Sequence, residues 1–289
     1  MPRIAYVNGR YVPHGEAAVH IEDRGYQFAD GVYEVCEVAH GNLIDMTRHM
    51  DRLNRSMSEL QIEWPVNRKA LERILLETVA RNRVRNGLVY LQVTRGVAKR
   101  DHVFPAAGTP SALVVTAKST DQAAAAKKFE EGVGVITVPE NRWDRVDIKS
   151  VGLLPNCMAR QKAKEQGAAE AWFVDEDGMV KEGGATNAWI VTADGTLVTR
   201  SADHGILRGI TRTTAIDAAK AIGMKVEERS FSVEEAQDAR ESFITAATTL
   251  VMPVVSIDGK AVANGHPGSV VSKLREAFIA QAEKTPIYG

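Results

Sequence analysis

The stretch that says most about the fold and chemistry of this chain is Asp147-Ile148-Lys149-Ser150-Val151-Gly152-Leu153-Leu154, where one amine lies among mostly uncharged neighbours. A lysine amine has a usual pKa of about 10.4, and only its neutral form attacks a carbonyl carbon. Apolar surroundings favour the neutral form because they disfavour the charge. Lys149 is therefore a candidate reactive lysine, and the alternative is a surface lysine whose stem lies along apolar neighbours.

The composition indicates a globular protein that acts on small molecules. The 289 residues are 44% hydrophobic with a formal net charge of −1, which gives no reason to expect nucleic acid or an anionic membrane as partner. Cys36 and Cys157 lie far apart without zinc-site or disulfide spacing, so we expect no metal and a reducing compartment. No apolar run reaches the roughly 18 residues of a transmembrane helix, and the N-terminus is unlike a signal peptide. These features favour a cytoplasmic protein.

Residues 1–120 predict a self-contained α+β domain. It opens with a hairpin about Asn8-Gly9, and a second hairpin turns at Gly41-Asn42. Two amphipathic helices follow, because apolar residues recur at helical spacing in two stretches. The first has Met50, Leu53, Met57 and Leu60, and the second has Leu71, Ile74, Leu75 and Val79.

Residues 121–131 have neither strand patterning nor a sustained apolar face, and they are predicted to be an interdomain linker. Residues 132–289 predict a second domain of short strands, with helices at about 156–166 and 210–222. Ser232-Val233-Glu234-Glu235 is a capping box that begins a further helix. A C-terminal helix follows the turn at Asp258-Gly259.

Glu182 ends a predicted strand and is followed by Gly183-Gly184, which let a flat group approach the backbone. A carboxylate beside a pyridine nitrogen keeps that nitrogen protonated, and the protonated ring withdraws electrons from an attached carbon. Glu182 is therefore a candidate partner for a cofactor ring. The alternative is a solvated glutamate in a turn.

The stretch Gly205-Ile206-Leu207-Arg208-Gly209-Ile210-Thr211-Arg212 predicts a phosphate site where a loop enters a helix. Unpaired N–H groups and the helix dipole favour an anion there, and Thr211 adds a hydroxyl. Arg52 offers a planar guanidinium suited to the same phosphate. The alternatives are a glycine that begins a packed helix and an exposed helical arginine.

Arg100 and His102 occupy alternate positions in a loop after a predicted strand. Such a pair can bind a carboxylate, with Tyr33 adding a phenol. The alternative is an exposed basic loop. The sequence has no pattern typical of a Ser/His/Asp triad, a metal cluster or a dinucleotide-binding glycine turn.

Taken together, these segments resemble the fold-type IV pyridoxal-phosphate aminotransferases, and within them most closely the bacterial D-amino acid enzymes. The resemblance covers nearly the whole chain. It is carried by Asp23-Arg24-Gly25-Tyr26-Gln27-Phe28-Ala29-Asp30-Gly31-Val32-Tyr33-Glu34, His49, Arg52-Leu53, Gln92-Val93-Thr94-Arg95-Gly96, Arg100, His102, Phe104-Pro105, Asp147-Ile148-Lys149-Ser150, Glu182-Gly183, Asn187 and Ile206-Leu207-Arg208-Gly209-Ile210-Thr211-Arg212.

The resemblance implies an α+β fold in two domains, an N-terminal α/β sandwich-like domain and a C-terminal pseudo-barrel domain, in a homodimer. It makes Lys149 the Schiff-base lysine and proton carrier, and Glu182 the partner of the pyridine nitrogen. The phosphate would be held by Arg52, Ile210 and Thr211, with Ala247 and Thr248 beside it, and Leu207 would pack on the ring. Tyr33, Arg100 and His102 would bind the substrate α-carboxylate, the latter two from the other subunit.

The chain departs from the family pattern at three places. Ala185 and Ala246-Ala247 stand where many relatives have hydroxyl side chains near the phosphate, so backbone N–H groups are expected to substitute. Leu250 replaces an acidic residue that is common in the D-amino acid enzymes.

The resemblance implies exchange of an amino group between a D-amino acid, such as D-alanine, and a 2-oxo acid, such as 2-oxoglutarate or pyruvate. The alternatives are a branched-chain L-amino acid aminotransferase and an aminodeoxychorismate lyase of the same fold. A further alternative is a binding protein that has kept the fold without catalysis.

Overall fold

A computed structural model describes residues 3–203 and 205–288, and the chain divides into two compact units. Unit 1 comprises Met1–Asp121, Ile148–Gly152 and Glu283–Gly289. Unit 2 comprises Gln122–Asp147 and Leu153–Ala282. The short segment that carries Lys149 therefore belongs to unit 1, although the residues on both sides of it belong to unit 2.

Unit 1 contains seven strands and three α-helices within its described residues. In chain order these are β1 Ile4–Val7, β2 Arg10–Pro13, α1 Arg24–Phe28, β3 Gly31–Ala39, β4 Asn42–Ile44, α2 Met46–Glu59, α3 Arg68–Arg81, β5 Gly87–Thr94, β6 Ala112–Ser119 and β16 Lys284–Pro286. A single 3-10 turn spans His14–Glu16. The strands form one antiparallel sheet in the order β16-β4-β3-β5-β6-β1-β2.

The helices α2 and α3 cover this sheet through the apolar residues that the sequence spacing identified. Met50, Leu53 and Met57 of α2 are buried in the same core as the α3 side chains of Leu71 and Leu75. Asn67 caps α3, because its side chain accepts a hydrogen bond from the N–H of Ala70. Both predicted helices are confirmed.

Unit 2 contains nine strands and five helices within its described residues. These are α4 Gln122–Glu131, β7 Val133–Pro139, α5 Leu154–Glu165, β8 Glu170–Val174, β9 Val180–Gly183, β10 Asn187–Val191, β11 Leu197–Thr199, α6 Ile210–Ala221, β12 Val226–Glu228, α7 Val233–Gln237, β13 Glu241–Ala246, β14 Leu250–Ile257, β15 Lys260–Ala261 and α8 Ser269–Gln281.

The strands of unit 2 form one mixed sheet in the order β12-β11-β10-β13-β14-β7-β8-β9, with β15 paired to β14. Three of its pairings are parallel, namely β11 with β12, β14 with β7, and β7 with β8. β9 lies at one end of the order yet packs beside β10, so the sheet curls on itself. This is the expected pseudo-barrel, and with the antiparallel sheet of unit 1 it confirms the two-domain α+β fold class.

The segment that the sequence predicted as a linker contains helix α4. Four successive alanines, Ala123 to Ala126, favour the helix intrinsically, and none of its residues is buried. Phe129 nevertheless packs against the core of unit 2, so the lack of strand patterning did not indicate an irregular backbone. The role of this segment between domains stays a prediction.

The described helices are all too short or too polar to cross a bilayer.

Candidate functional site

Lys149 is held on the first residues of β3 by its backbone. The N–H of Tyr33 donates to the Lys149 carbonyl at 3.0 Å, and the N–H of Val151 donates to the Gly31 carbonyl at 3.0 Å. The N–H of Lys149 donates to Ser56 Oγ on α2 at 3.3 Å. Hydrogen bonds on both sides of the lysine thus fix the direction in which its side chain leaves the backbone.

The amine of Lys149 lies over an aromatic face. Its Nζ is 4.1 Å from the centre of the Tyr33 ring, a distance at which a ring attracts an ammonium group. The Tyr33 ring lies 5.7 Å from that of Tyr90, whose hydroxyl donates to Gln92 Oε1 at 2.7 Å. Burial, with the neighbouring Tyr33, raises the pKa of Tyr90 to about 12. The structure therefore brings together Lys149 and Tyr33, to which the sequence assigned different roles.

Arg52 is paired with a buried carboxylate, Glu34. The guanidinium donates through Nε to Glu34 Oε1 and through Nη2 to Oε2, each at 2.7 Å. His49 Nδ1 also lies 2.7 Å from Oε2. Burial alone would raise the pKa of the Glu34 carboxyl, but the charges and hydrogen bonds of Arg52 and His49 hold it well below its usual range. The plane of the Arg52 guanidinium is consequently fixed by this bidentate pair.

Sequence reasoning missed Glu34, although a signal was present. Every second position along β3 is buried, and these positions lie on one face of the strand. They are occupied by Val32, Glu34, Cys36 and Val38. A carboxylate in such a register must find a cationic partner, because an unpaired buried charge is strongly unfavourable. The partners came from the next helix, at His49 and Arg52.

The side chains of Arg100 and His102 both contact the Phe28 ring of helix α1 in the same chain. The Arg100 guanidinium lies 5.0 Å from the centre of the Phe28 ring, and the His102 ring lies 5.6 Å from it, edge to face. Both residues are exposed. Tyr33, the third member of the predicted carboxylate site, contacts Lys149 and Tyr90 instead within the described residues.

In unit 2, Glu182 is buried and surrounded by hydrogen-bond donors. Its Oε1 accepts from Arg142 Nη1 at 2.7 Å, and its Oε2 accepts from Asn187 Nδ2 at 3.0 Å. The N–H of Leu207 donates to both oxygens, at 3.2 and 3.1 Å. Burial raises the pKa of the Glu182 carboxyl, while Arg142 and the Leu207 N–H oppose that rise. The proton affinity of Glu182 is thus set by burial against one guanidinium and one backbone N–H.

Arg142 was not identified from the sequence, where it is one arginine among several. It is only 5% exposed and lies between two carboxylates, with its Nε and Nη2 donating to Glu140 at 2.9 and 2.6 Å. Its guanidinium lies 4.2 Å from the centre of the Phe173 ring. Arg142 therefore compensates the charge of Glu182 from the segment that follows β7.

The start of α6 is joined to Glu182 through Asn187. The Asn187 side chain donates to Glu182 and also to the Leu207 carbonyl at 2.9 Å. Gly209 is the N-cap residue of α6, and a Cβ on it would collide with Asn187 Oδ1. Because glycine has no side chain, the first-turn N–H groups at Ile210 and Thr211 receive no side-chain cap from the N-cap position.

The remaining predicted positions lie in two loops of unit 2. Ala247 and Thr248 follow β13, and Thr248 is exposed. The N–H of Ala185 donates to Glu170 Oε2 at 3.1 Å. That N–H is thus paired with Glu170, and the substitution of backbone N–H groups for the missing hydroxyls stays a prediction.

The chain matches the family described as amino-transferase class IV over residues 31–257. It is similar to the D-alanine aminotransferase of Listeria innocua serovar 6a, with 40% identity over 276 residues, 95% of this chain and 94% of the relative. It is equally similar to the D-alanine aminotransferase of Bacillus licheniformis, with 40% identity over 282 residues, 96% of this chain and 98% of the relative.

Its fold is similar to that of solved branched-chain enzymes. The branched-chain aminotransferase of the thermophilic archaeon Thermoproteus uzoniensis, solved with norvaline, superposes with a TM-score of 0.83 at 25% identity, covering 99% of this chain and 99% of that one.

We predict that Arg142→Met destabilises the protein by about 3–5 kcal/mol at neutral pH, because it leaves the buried Glu182 and the half-buried Glu140 without the countercharge that Arg142 supplies. The loss should shrink as the pH falls, since the carboxyls left without Arg142 become protonated and a neutral carboxyl needs no countercharge. Urea unfolding at several pH values measures both effects.

The matched control is Lys260→Met, which removes a cation from an exposed pair with Asp238 in the same unit. Its expected loss is below about 1 kcal/mol at every pH. Equal losses for the two variants would show that Glu182 does not depend on Arg142.

Proposed function

The chain belongs to the amino-transferase class IV family, and we propose that it exchanges the amino group of a D-amino acid, such as D-alanine, with a 2-oxo acid, such as pyruvate or 2-oxoglutarate. The observation that carries the proposal is its 40% identity to D-alanine aminotransferases over nearly its full length. The branched-chain enzyme of matching fold is only 25% identical.

The residues of unit 2 fit pyridoxal 5'-phosphate, the cofactor of this family. Once bound, the cofactor supplies a protonated ring that withdraws electrons from the carbon that loses a proton. Glu182 would hold the proton on the ring nitrogen, because a carboxylate kept charged by Arg142 favours a cation opposite it. Leu207, whose N–H fixes Glu182, would pack its side chain on the ring.

The phosphate would lie at the start of α6. The N–H groups of Ile210 and Thr211 receive no side-chain cap from Gly209 and lie at the positive end of the helix dipole. Ala247 and Thr248 would line the phosphate from the neighbouring loop. We assign Arg52 to the same phosphate, with Glu34 holding its guanidinium in one plane.

Lys149 would bind the cofactor through its amine and then carry the proton at the substrate Cα. Proton transfer of this kind needs a base at one fixed position, and the hydrogen bonds to β3 fix the backbone of Lys149. The Tyr33 ring beneath Nζ limits the directions in which the amine can move. The face of Cα that meets Lys149 would decide which enantiomer reacts.

The substrate carboxylate would be bound by Tyr33, Arg100 and His102. Arg100 offers a bidentate fork and His102 a further donor, and both are exposed. We propose that Arg100 and His102 act on a second copy of the chain, in a homodimer. The enzyme would work in the cytoplasm on small amino acids and 2-oxo acids.

A half-reaction assay tests the proposed function. The cofactor-loaded protein is mixed with paired D- and L-enantiomers of alanine and leucine without an acceptor, and cofactor absorbance and 2-oxo acid release are followed. We expect D-alanine to react and L-alanine not to. Faster reaction with L-leucine would identify a branched-chain enzyme, and pyruvate formed from aminodeoxychorismate would identify the lyase.

We predict that Arg100→Ala lowers kcat/KM for D-alanine about 10- to 100-fold, because hydrogen bonds to charged groups contribute about 1.5–3 kcal/mol. The loss should appear mainly in KM, since the carboxylate is bound equally before and during the reaction. For an amine donor that lacks a carboxylate, kcat/KM should fall only slightly.

The matched control is Lys99→Ala, which removes the same charge from the exposed residue before Arg100. This variant should leave kcat/KM unchanged for both D-alanine and the amine donor. Equal losses for D-alanine and the amine in Arg100→Ala would show that Arg100 does not bind the carboxylate.

A further inference from the structure

Arg24 is a buried cation of unit 1 that has no role in the proposed chemistry. It begins helix α1 and is 3% exposed. Its Nε donates to Asp30 Oδ2 at 2.7 Å. Its Nη1 points away from that pair and donates to the carbonyls of Asp101 at 2.6 Å and Val103 at 3.4 Å. The two carbonyls are those of the residues that follow Arg100 and His102.

These hydrogen bonds attach an otherwise irregular loop. Within the described part of the chain, residues 99–104 make no other hydrogen bond to the rest of the protein, and the N–H of Val103 bonds only to Asp101 Oδ1 inside the loop. All six residues are exposed. The Phe104 ring, 3.6 Å from the Arg95 guanidinium, holds the far end of the loop. Loops with so few attachments open readily unless a tertiary contact holds them.

Arg24 also contributes to the aromatic contacts under the loop. Its guanidinium lies 4.8 Å from the centre of the Phe28 ring, the ring that Arg100 and His102 also contact. Three donor side chains therefore share one aromatic ring, and Arg24 is the buried member. A cation on an aromatic face is attracted more strongly when it is desolvated.

We infer that Arg24 is a positioning residue for carboxylate recognition, because its hydrogen bonds to the Asp101 and Val103 carbonyls hold Arg100 and His102 in one arrangement. The inference rests on the proposed function of these two residues. By this account Arg24 selects donors that carry a carboxylate, although it does not touch the substrate.

Lysine cannot replace arginine in this role. A guanidinium bonds to Asp30 and to the loop carbonyls at once, in two directions set by its plane, whereas an ammonium is a point donor. Asp30 keeps a partner in Arg24→Lys, because Arg95 donates to both of its oxygens at 2.7 and 3.0 Å. The variant therefore detaches the loop without leaving a buried carboxylate unpaired.

The test compares Arg24→Lys with the unchanged enzyme, using D-alanine and an amine without a carboxylate as donors. We expect KM for D-alanine to rise on the order of tenfold to a hundredfold, with kcat at saturation retained and the amine unaffected. The inhibition constant of propanoate, a carboxylate without an amine, measured against the amine donor, should rise in parallel.

Two comparison variants separate the explanations. Leu75→Ala removes a fully buried side chain of α3 and measures the effect of general destabilisation, which should not distinguish the donors. Arg100→Ala measures how far KM for D-alanine rises when a carboxylate-binding side chain is removed directly. Arg24→Gln, which keeps a planar donor without the charge, replaces Arg24→Lys if that protein does not fold.

The outcomes are distinct. If Arg100→Ala discriminates between the donors and the Arg24 variants do not, the positioning role is wrong while the proposed function stands. If Arg100→Ala does not discriminate, the carboxylate site is wrong and the role of Arg24 falls with it. Equal loss on both donors in Arg24→Lys and Leu75→Ala would assign Arg24 to stability alone.

Discussion

The backbone hydrogen bonds that join Lys149 and Val151 to β3 are the constraint on which the position of the reactive amine depends. They place residues 148–152 in unit 1, while the chain on either side belongs to unit 2. Lys149 thus has no helix or strand of its own to orient it. Its backbone is held by Tyr33 on β3 and Ser56 on α2, and the neighbouring Val151 is held by Gly31, so the packing of α2 against the sheet helps to fix the backbone of Lys149.

Two buried carboxylates show how surroundings give the same side chain different properties. Glu34 is held by Arg52 and His49, which keep its pKa low and make it a permanent anion. Glu182 is paired with Arg142, which lowers the pKa of the carboxyl. Burial raises that pKa by more, so the net shift is upward. A permanent anion suits the orientation of a guanidinium, and a carboxylate of raised proton affinity suits a shared proton with a ring nitrogen.

Much of this arrangement could be predicted from the sequence because it is local. The spacing of Met50, Leu53 and Met57 predicted α2, and Ser232 caps α7 through the Glu235 N–H as the capping box indicated. The pairs that tune the charged groups could not be predicted, because their partners lie far apart in the chain. Arg142 meets Glu182 forty residues on, and Arg24 meets the Asp101 carbonyl seventy-seven residues on. Periodicity shows which face of a strand is buried, but it does not show which distant cation pairs with the carboxylate there.

The most direct test of the account is borohydride reduction of the cofactor-loaded protein, followed by proteolysis and mass spectrometry. We expect one pyridoxyl group on the peptide that contains Lys149, and none in Lys149→Arg. A label on another lysine, such as Lys181 beside Glu182, or the absence of any label in the unchanged protein, would contradict it.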